Sequence, residues 1–349
     1  MAENRKKDNY NKEVNNFGAS ENINEILADK HRGDFKFKLN KYFPQILLWV
    51  VLLILFIAMT VASEYFLQWR NFKNILDQCA VYIVLAVGMT FVIGTGGVDL
   101  SVGYLAGFSG VIAAITMKAG FDYRLAIALG LGTGVLMGLI NGFFVAKVKI
   151  NPFITTLATM SISQGIALLL TGGVAIYGFE QGFKNIGTGQ FGPVTMPTVI
   201  ALVFTLIGAV LLGKTLWGKY CLSLGGNGEA LRRTGVNVTA YRISVYALSG
   251  FCAAVAGIIM AARLNSAAPI AGAGYEMDAI AAVVLGGGSM SGGTGSMFGT
   301  FVACISLGIV RNGLTLLSIP TYYQYIITGA IILAAIVISE LRKRKDIAA

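Results

Sequence analysis

Residues 217–238 read WGKYCLSLGGNGEALRRTGVNV, a polar stretch set between long apolar runs. The pattern predicts a short helix with both ends marked. Asn227 is placed to cap the N-terminus, and Glu229 falls in the first turn, where the helix dipole favours an anion. Arg232 and Arg233 fall in the last turn, where cations are favoured, and Gly235 can close the end. Glu229 and Arg233 stand four apart and can pair on one exposed face. Such a helix is either a solvated loop between membrane spans or a peg for a soluble partner, and the flanking sequence decides.

The chain has 349 residues, of which 55% are hydrophobic and 13% charged. Soluble domains carry about 25% charged residues, so most of this chain avoids water. The fold class it predicts is an all-α polytopic membrane protein. From Pro44 there are about ten apolar segments, at 44–66, 76–94, 98–118, 124–146, 152–172, 196–216, 242–263, 277–290, 296–317 and 321–340. A full crossing takes about 20 residues. The eighth segment falls short, and the second meets the third through Gly94-Thr95-Gly96-Gly97 with almost no loop. Broken or partial helices are expected at both places.

Residues 1–41 are polar and expected to be disordered. Because they precede the first apolar run, no signal peptide is expected. With the N-terminus inside, twenty Lys and Arg residues fall on inner segments and six on outer ones. This bias puts both ends, including the basic C-terminus 342–349, and the 217–241 loop in the cytoplasm. The net charge of +10 is then topological, and no nucleic-acid partner is expected. The four cysteines are scattered and the single histidine, His31, lies in the polar tail. That pattern offers no metal framework and little room for histidine-dependent catalysis.

Within the apolar region, Gly130, Gly134, Gly138 and Gly142 recur every fourth position, with Gly103/Gly107 and Gly295/Gly299 at the same spacing. Such stripes serve close helix packing. An echo links Asn141-Gly142 before Pro152 to Asn312-Gly313 before Pro320, on opposite sides of the membrane, as an inverted repeat requires. The Gly-rich junctions at 94–97 and 286–295 also look alike but imply a different offset. Asp99, in GTGGVDLSVG, has no basic neighbour in sequence, so it should face a polar cavity or a partner. Thr95 and Ser101 add hydroxyls. Glu276 and Asp278 form a second acidic spot, with Arg311 the counter-charge candidate. These are either buried structural pairs or a polar pathway for a hydroxylated solute.

Two motif matches are decoys. Gly208–Thr215 fits the P-loop pattern, but its interior is apolar and it ends a membrane span; Lys214 reads as a snorkelling anchor. Gly187–Gly192 fits G-x-G-x-x-G in an outer loop without a βαβ setting. The loop 173–195 carries Tyr177, Phe179, Phe183 and Phe191, which read as interfacial anchors, or less readily as a docking patch.

GMTFVIGTGGVDLSVG (88–103), LGGNGEALRRTGVNV (224–238), ARLNSAAPIAGAGYEMDAIAAVVLGGGSMSGGTGS (262–296) and NGLTLLSIPTYYQYII (312–327) resemble the monosaccharide permease subunits of bacterial ABC importers, the ribose type above all. The resemblance spans roughly residues 44–340 and departs in the N-terminal tail, around Gly286–Gly293 and in the outer loop. It implies that 42–341 is a ten-helix permease domain, acting as a homodimer in the bacterial cell membrane. An ATP-binding cassette subunit would seat on Gly225, Gly226, Asn227, Glu229, Ala230, Arg232, Arg233 and Gly235. ATP and magnesium would belong to that subunit, with no cofactor or catalytic residue in this chain. An extracytoplasmic binding protein would deliver the sugar past Thr95, Asp99, Ser101, Asn141, Asn312, Arg311, Glu276 and Asp278. Three alternatives remain: an importer of a related sugar such as galactose or xylose or of a similar small solute, a secondary transporter using the same polar groups, and an intramembrane aspartyl protease built on Asp99 and Asp278, whose carboxylates would have to share a proton.

Overall fold

The computed structural model describes residues 50–337 other than 51, 55, 321, 325, 328, 331, 332 and 334–336. The polar tail 1–41 with His31, the start of the first expected span, the end of the tenth and the basic terminus 342–349 lie outside the described residues.

Apolar runs rich in Leu, Val, Ile and Ala become helices because a helix satisfies its own backbone where water is absent. In chain order these are α1 (Leu52–Ala62), α2 (Trp69–Gly94), α3 (Val102–Lys118), α4 (Tyr123–Phe143), α5 (Pro152–Thr171), α6 (Gln181–Thr188) and α7 (Met196–Lys214). There follow α8 (Leu216–Arg233), α9 (Val238–Leu264), α10 (Tyr275–Leu285) and α11 (Met297–Leu316). A π-helical turn, Phe144–Val148, extends α4 and ends at Lys149, which adopts φ 65°. Among the described residues, six helices are long and apolar enough to cross a membrane: α2, α4 with its extension, α5, α7, α9 and α11. The 17-residue α3 and the 11-residue α10 are shorter than a full crossing needs. Both are flanked by the glycine-rich turns where interruptions were expected.

Helix α9 is the centre of the packing, in contact with α2, α3 and α4. The glycine stripe explains how α4 gets so close. A Cβ on Gly134 would strike the carbonyl of Gly250, and one on Gly138 the carbonyl of Tyr246. At Gly142 it would come within 2.7 Å of the Ile243 Cα. The stripe is therefore a backbone-to-backbone seam, as its spacing indicated. Gly103 meets Gly272 and Gly299 meets Gly286 in the same manner.

The region 173–195 departs from expectation. It holds α6 and two short antiparallel pairings, Ile176–Tyr177 with Ser266–Ala267 and Gln190–Phe191 with Val194–Thr195. Phe179 and Phe183 are buried and meet edge to face at 5.2 Å, so they are core residues of the loop rather than interfacial anchors. Only Tyr177 and Phe191 of that group stand exposed.

Candidate functional site

The polar stretch forms a helix broken once. Within α8, Asn227 has φ −153° and ψ 85°, which separates an apolar-anchored first half from the charged last turns. The break comes from capping: Asn227 Oδ1 accepts the backbone N–H of Ala230 at 2.9 Å, which requires an extended backbone at the cap. The end is closed by Gly235 at φ 86°. Both marks fall where the sequence put them. Glu229 accepts Arg232 Nε and Nη2 at 3.0 and 2.9 Å, and Arg233 Nε at 3.5 Å. The expected pair with Arg233 is present, but the two-pronged contact with Arg232 is the closer one. All three side chains are exposed. Arg232 holds the Glu229 carboxyl below its ordinary value, and Glu229 in turn raises the Arg232 guanidinium. The first half is anchored through Trp217, whose indole N–H donates to Ser244 Oγ at 3.0 Å and whose ring lies 5.0 Å from that of Phe91.

Two residues before the break, Gly225 sits against two other chain segments. A Cβ there would strike the carbonyl of Gly94 and lie 2.5 Å from the backbone nitrogen of Gly293. Those two residues are themselves joined, Gly293 N–H to Gly94 C=O at 3.0 Å. Gly96, Gly292 and Gly293 take φ of 76°, 82° and 83°, conformations that suit glycine. The two glycine-rich junctions that looked alike in sequence are thus neighbours, and α8 rests on both. Backbone touches backbone at this junction, so displacement of one segment has no side chain to absorb it.

The eight intramembrane candidates do not form one site. Asp99, fully buried, accepts Ser101 Oγ at 2.6 Å and Ser101 N at 3.1 Å on one oxygen and Ser249 Oγ at 2.8 Å on the other. Asn141 donates to Ser101 Oγ at 3.0 Å and leaves its own carbonyl oxygen without a partner. Thr95 turns back to the Val92 carbonyl at 2.7 Å and stays apart from this cluster. Asn312 pairs amide to amide with Asn71, at 3.0 and 2.8 Å. Asn71 opens α2 and Thr95 follows its end; at about 1.5 Å per residue they are ~36 Å apart along the axis. Asn312 therefore sits at the other end of the helix from Asp99.

The third cluster lies between them. Arg311 Nη2 donates to Asp278 Oδ1 at 2.6 Å, Nη1 donates to Tyr82 Oη at 2.6 Å, and the guanidinium lies 5.1 Å from the Tyr82 ring centre. Arg311 is thus the partner of Asp278. Glu276 accepts the Gly274 N–H at 3.2 Å, and Glu276 Oε2 and Asp278 Oδ2 have no hydrogen-bond partner. Tyr82 precedes Thr95 by about 20 Å of helix. Asp99 and Asp278, held at separate stations with separate partners, cannot share a proton, and the protease reading is set aside.

Ser249, Tyr82, Asn71 and Asp77 escaped the sequence reading. Asp77, which accepts the hydroxyls of Thr195 and Thr198, carried the same signal as Asp99, a carboxylate inside an apolar segment. Ser249, Tyr82 and Asn71 carried none, since a lone hydroxyl or amide in a span is common.

Residues 71–336 match the family model described as branched-chain amino acid transport system / permease component. The chain belongs to this permease family. The ribose import permease protein of Bacillus subtilis (strain 168) is 42% identical to the permease over 289 residues, 82% of this chain and 90% of the relative. The L-arabinose ABC transporter permease protein of Azospirillum brasilense is 36% identical over 296 residues, 85% of this chain and 87% of the relative. Among solved structures, an inward-facing putative metal-chelate type ABC transporter superposes with a TM-score of 0.51 at 17% identity, covering 86% of the permease and 99% of that chain. The permease is therefore a multi-pass membrane protein with the fold of an ABC transporter membrane subunit. Its P-loop look-alike, Gly208–Thr215, is the last two turns of α7 followed by Thr215, which caps α8.

Proposed function

We propose that this permease carries a monosaccharide, ribose first, through the membrane as one half of a homodimer powered by a separate ATP-binding cassette subunit. The observation that carries the reading is Gly225 lodged against Gly94 and Gly293, directly before the exposed charged turns of α8. A push on those turns reaches the breaks between α2 and α3 and between α10 and α11 without passing through a soft side chain. The sidedness rests on the Lys and Arg bias, with both termini and α8 cytoplasmic. Gly225, Gly226, Asn227, Glu229, Ala230, Arg232, Arg233 and Gly235 form the surface that receives the ATPase.

A neutral sugar in transit wants hydrogen bonds that are weak and spaced apart. Asn141 Oδ1, Asp278 Oδ2 and Glu276 Oε2 are acceptors without partners. Asp99 and Ser101 hold the cytoplasmic station; Asp278 and Arg311 hold the deeper one, with Asn312 beyond, while the Glu276 carboxylate lies against Gly103 at the start of α3. A sugar-binding protein on the outer face supplies the substrate, and the names of the relatives favour a pentose. The test is uptake of labelled ribose, arabinose and galactose by proteoliposomes containing the permease, its ATPase and its binding protein. ATP-dependent uptake with ribose preferred is expected. Uptake indifferent to ATP would make the chain a secondary transporter and overturn the reading.

A further inference from the structure

One face of α2 is polar inside the membrane. Asn74 and Gln78 stand four residues apart and Tyr82 four further on, so the three share one side of the helix. Asn74 and Gln78 are exposed, and among the described residues neither amide has a hydrogen bond. The residues beside them are engaged elsewhere. Ile75 and Cys79 pack on Gly308 of α11, and Asp77 accepts the hydroxyls of Thr195 and Thr198 at the start of α7.

Depth argues against lipid as the neighbour of this stripe. The 26 residues of α2 span about 39 Å at about 1.5 Å each, roughly 9 Å more than the hydrocarbon core. Gln78 lies about 13 Å along the axis from Trp69, so it is inside the hydrocarbon layer even with the whole excess on the outer side. An amide without a partner is strongly disfavoured against acyl chains and calls for water or a polar ligand.

The stripe leads inward to a polar cluster. Tyr82 accepts Arg311 Nη1 at 2.6 Å, and its ring lies 4.6 Å from that of Tyr275, the first residue of α10. Ala273 and Gly274, just before α10, are exposed. The space beside Asp278, lined by Tyr82, Leu307 and Arg311, measures about 10 Å³, room for one water and not for a sugar. A solute arriving from the side opposite α8 is therefore stopped above this closed floor, at the level of Gln78. The wall it meets has no free charge, since Asp278 engages Arg311. Amides, which both donate and accept, beside an aromatic pair suit a neutral polyol better than an ion.

We propose that Asn74, Gln78 and Tyr82 form the wall of a water-filled outer vestibule, where the two amides hydrogen-bond the hydroxyls of a monosaccharide waiting above the Asp278–Arg311 cluster. The identity of the ligand rests on the transport reading above; the water-filled wall does not.

Asn74→Cys and Gln78→Cys are made singly in the full chain, whose Cys79, Cys221, Cys252 and Cys304 are all buried. Right-side-out membrane vesicles are then treated with a charged, membrane-impermeant methanethiosulfonate. Both variants are expected to react at least about tenfold faster than Leu206→Cys, on the exposed apolar face of α7, because the reagent needs an ionised thiol in water. A Gln78→Cys rate no higher than that of Leu206→Cys would overturn the proposal. So would oxidative cross-linking of two permease chains through Gln78→Cys, which would assign the stripe to the interface between copies. In proteoliposomes with the ATPase and the binding protein, Gln78→Leu should lower ribose uptake about fivefold, the worth of one hydrogen bond, with ATPase activity kept. Gln78→Asn, which retains the amide, should recover most of the uptake. Unchanged uptake by Gln78→Leu would overturn the sugar contact. Labelling uses neither ATP nor sugar, so failure of the wall and failure of the transport reading are told apart.

Discussion

Gly293 donates its backbone N–H to the carbonyl of Gly94 at 3.0 Å, tying the turn that ends α2 to the turn between α10 and α11. Gly225 of α8 covers that bond, so three segments far apart in sequence meet through backbone alone. The contact leaves no room for a methyl group.

Gly225→Val should therefore destabilise the permease by about 1–3 kcal/mol, the usual cost of overpacking. Gly226→Ala next to it meets nothing closer than 3.9 Å and should leave stability unchanged or slightly raised. Thermal denaturation in detergent compares the two, and equal losses would refute the wedge.

The Arg311–Asp278 pair is buried and shared with Tyr82. Removing one partner leaves a buried charge, so Arg311→Met alone or Asp278→Leu alone should cost about 3–5 kcal/mol. The two together should cost less than either, because neither charge is then stranded. A double-mutant cycle on unfolding midpoints measures the coupling.

Asp99 has three hydrogen bonds and no cation. Ser249→Ala should cost about 1–3 kcal/mol by stripping one carboxylate oxygen of its donor. Ser249→Thr, which keeps the hydroxyl, should recover most of it. Asp99→Asn should lower sugar uptake more than it lowers stability if this cluster is part of the path, and proteoliposome uptake against melting temperature separates the two effects.

Arg232 holds the Glu229 carboxyl below its ordinary value of 4.5. A carboxyl lowered by folding contributes stability above its unfolded value and loses it as pH falls through the lowered one. The charged turns of α8 should thus stay paired from neutral pH down to the usual carboxylate range, and come apart only below it. Co-purification of the ATPase should be flat over mildly acidic pH. Glu229→Gln should weaken it at every pH, and a steep loss between neutral pH and 6 would point to a group other than Glu229.

Much of the chain was legible residue by residue. The apolar runs, the cap at Asn227, the close at Gly235 and the stripe from Gly130 to Gly142 are local signals, carried by neighbours within a turn or two. They decide helices and their ends because a helix is closed by bonds four residues apart. The seam with α9 was foreshadowed by spacing, though its partner Gly250 was not.

Partnership was decided by the tertiary structure alone. Asn312 was grouped with Asn141 on likeness of sequence, yet it pairs with Asn71 across 241 positions, while Asn141 joins Ser101 and Asp99 near the far end of α2. Ser249 and Tyr82 acquire their roles only from what packing brings beside them. The sequence by itself determined a polytopic membrane protein with a capped, charged helix between its spans, since composition and short-range pattern suffice for that, while the permease reading came from resemblance to a known family. Which polar groups meet, and that Gly94, Gly225 and Gly293 converge, depended on how helices settle against one another, a long-range balance of close packing that no short window of residues encodes.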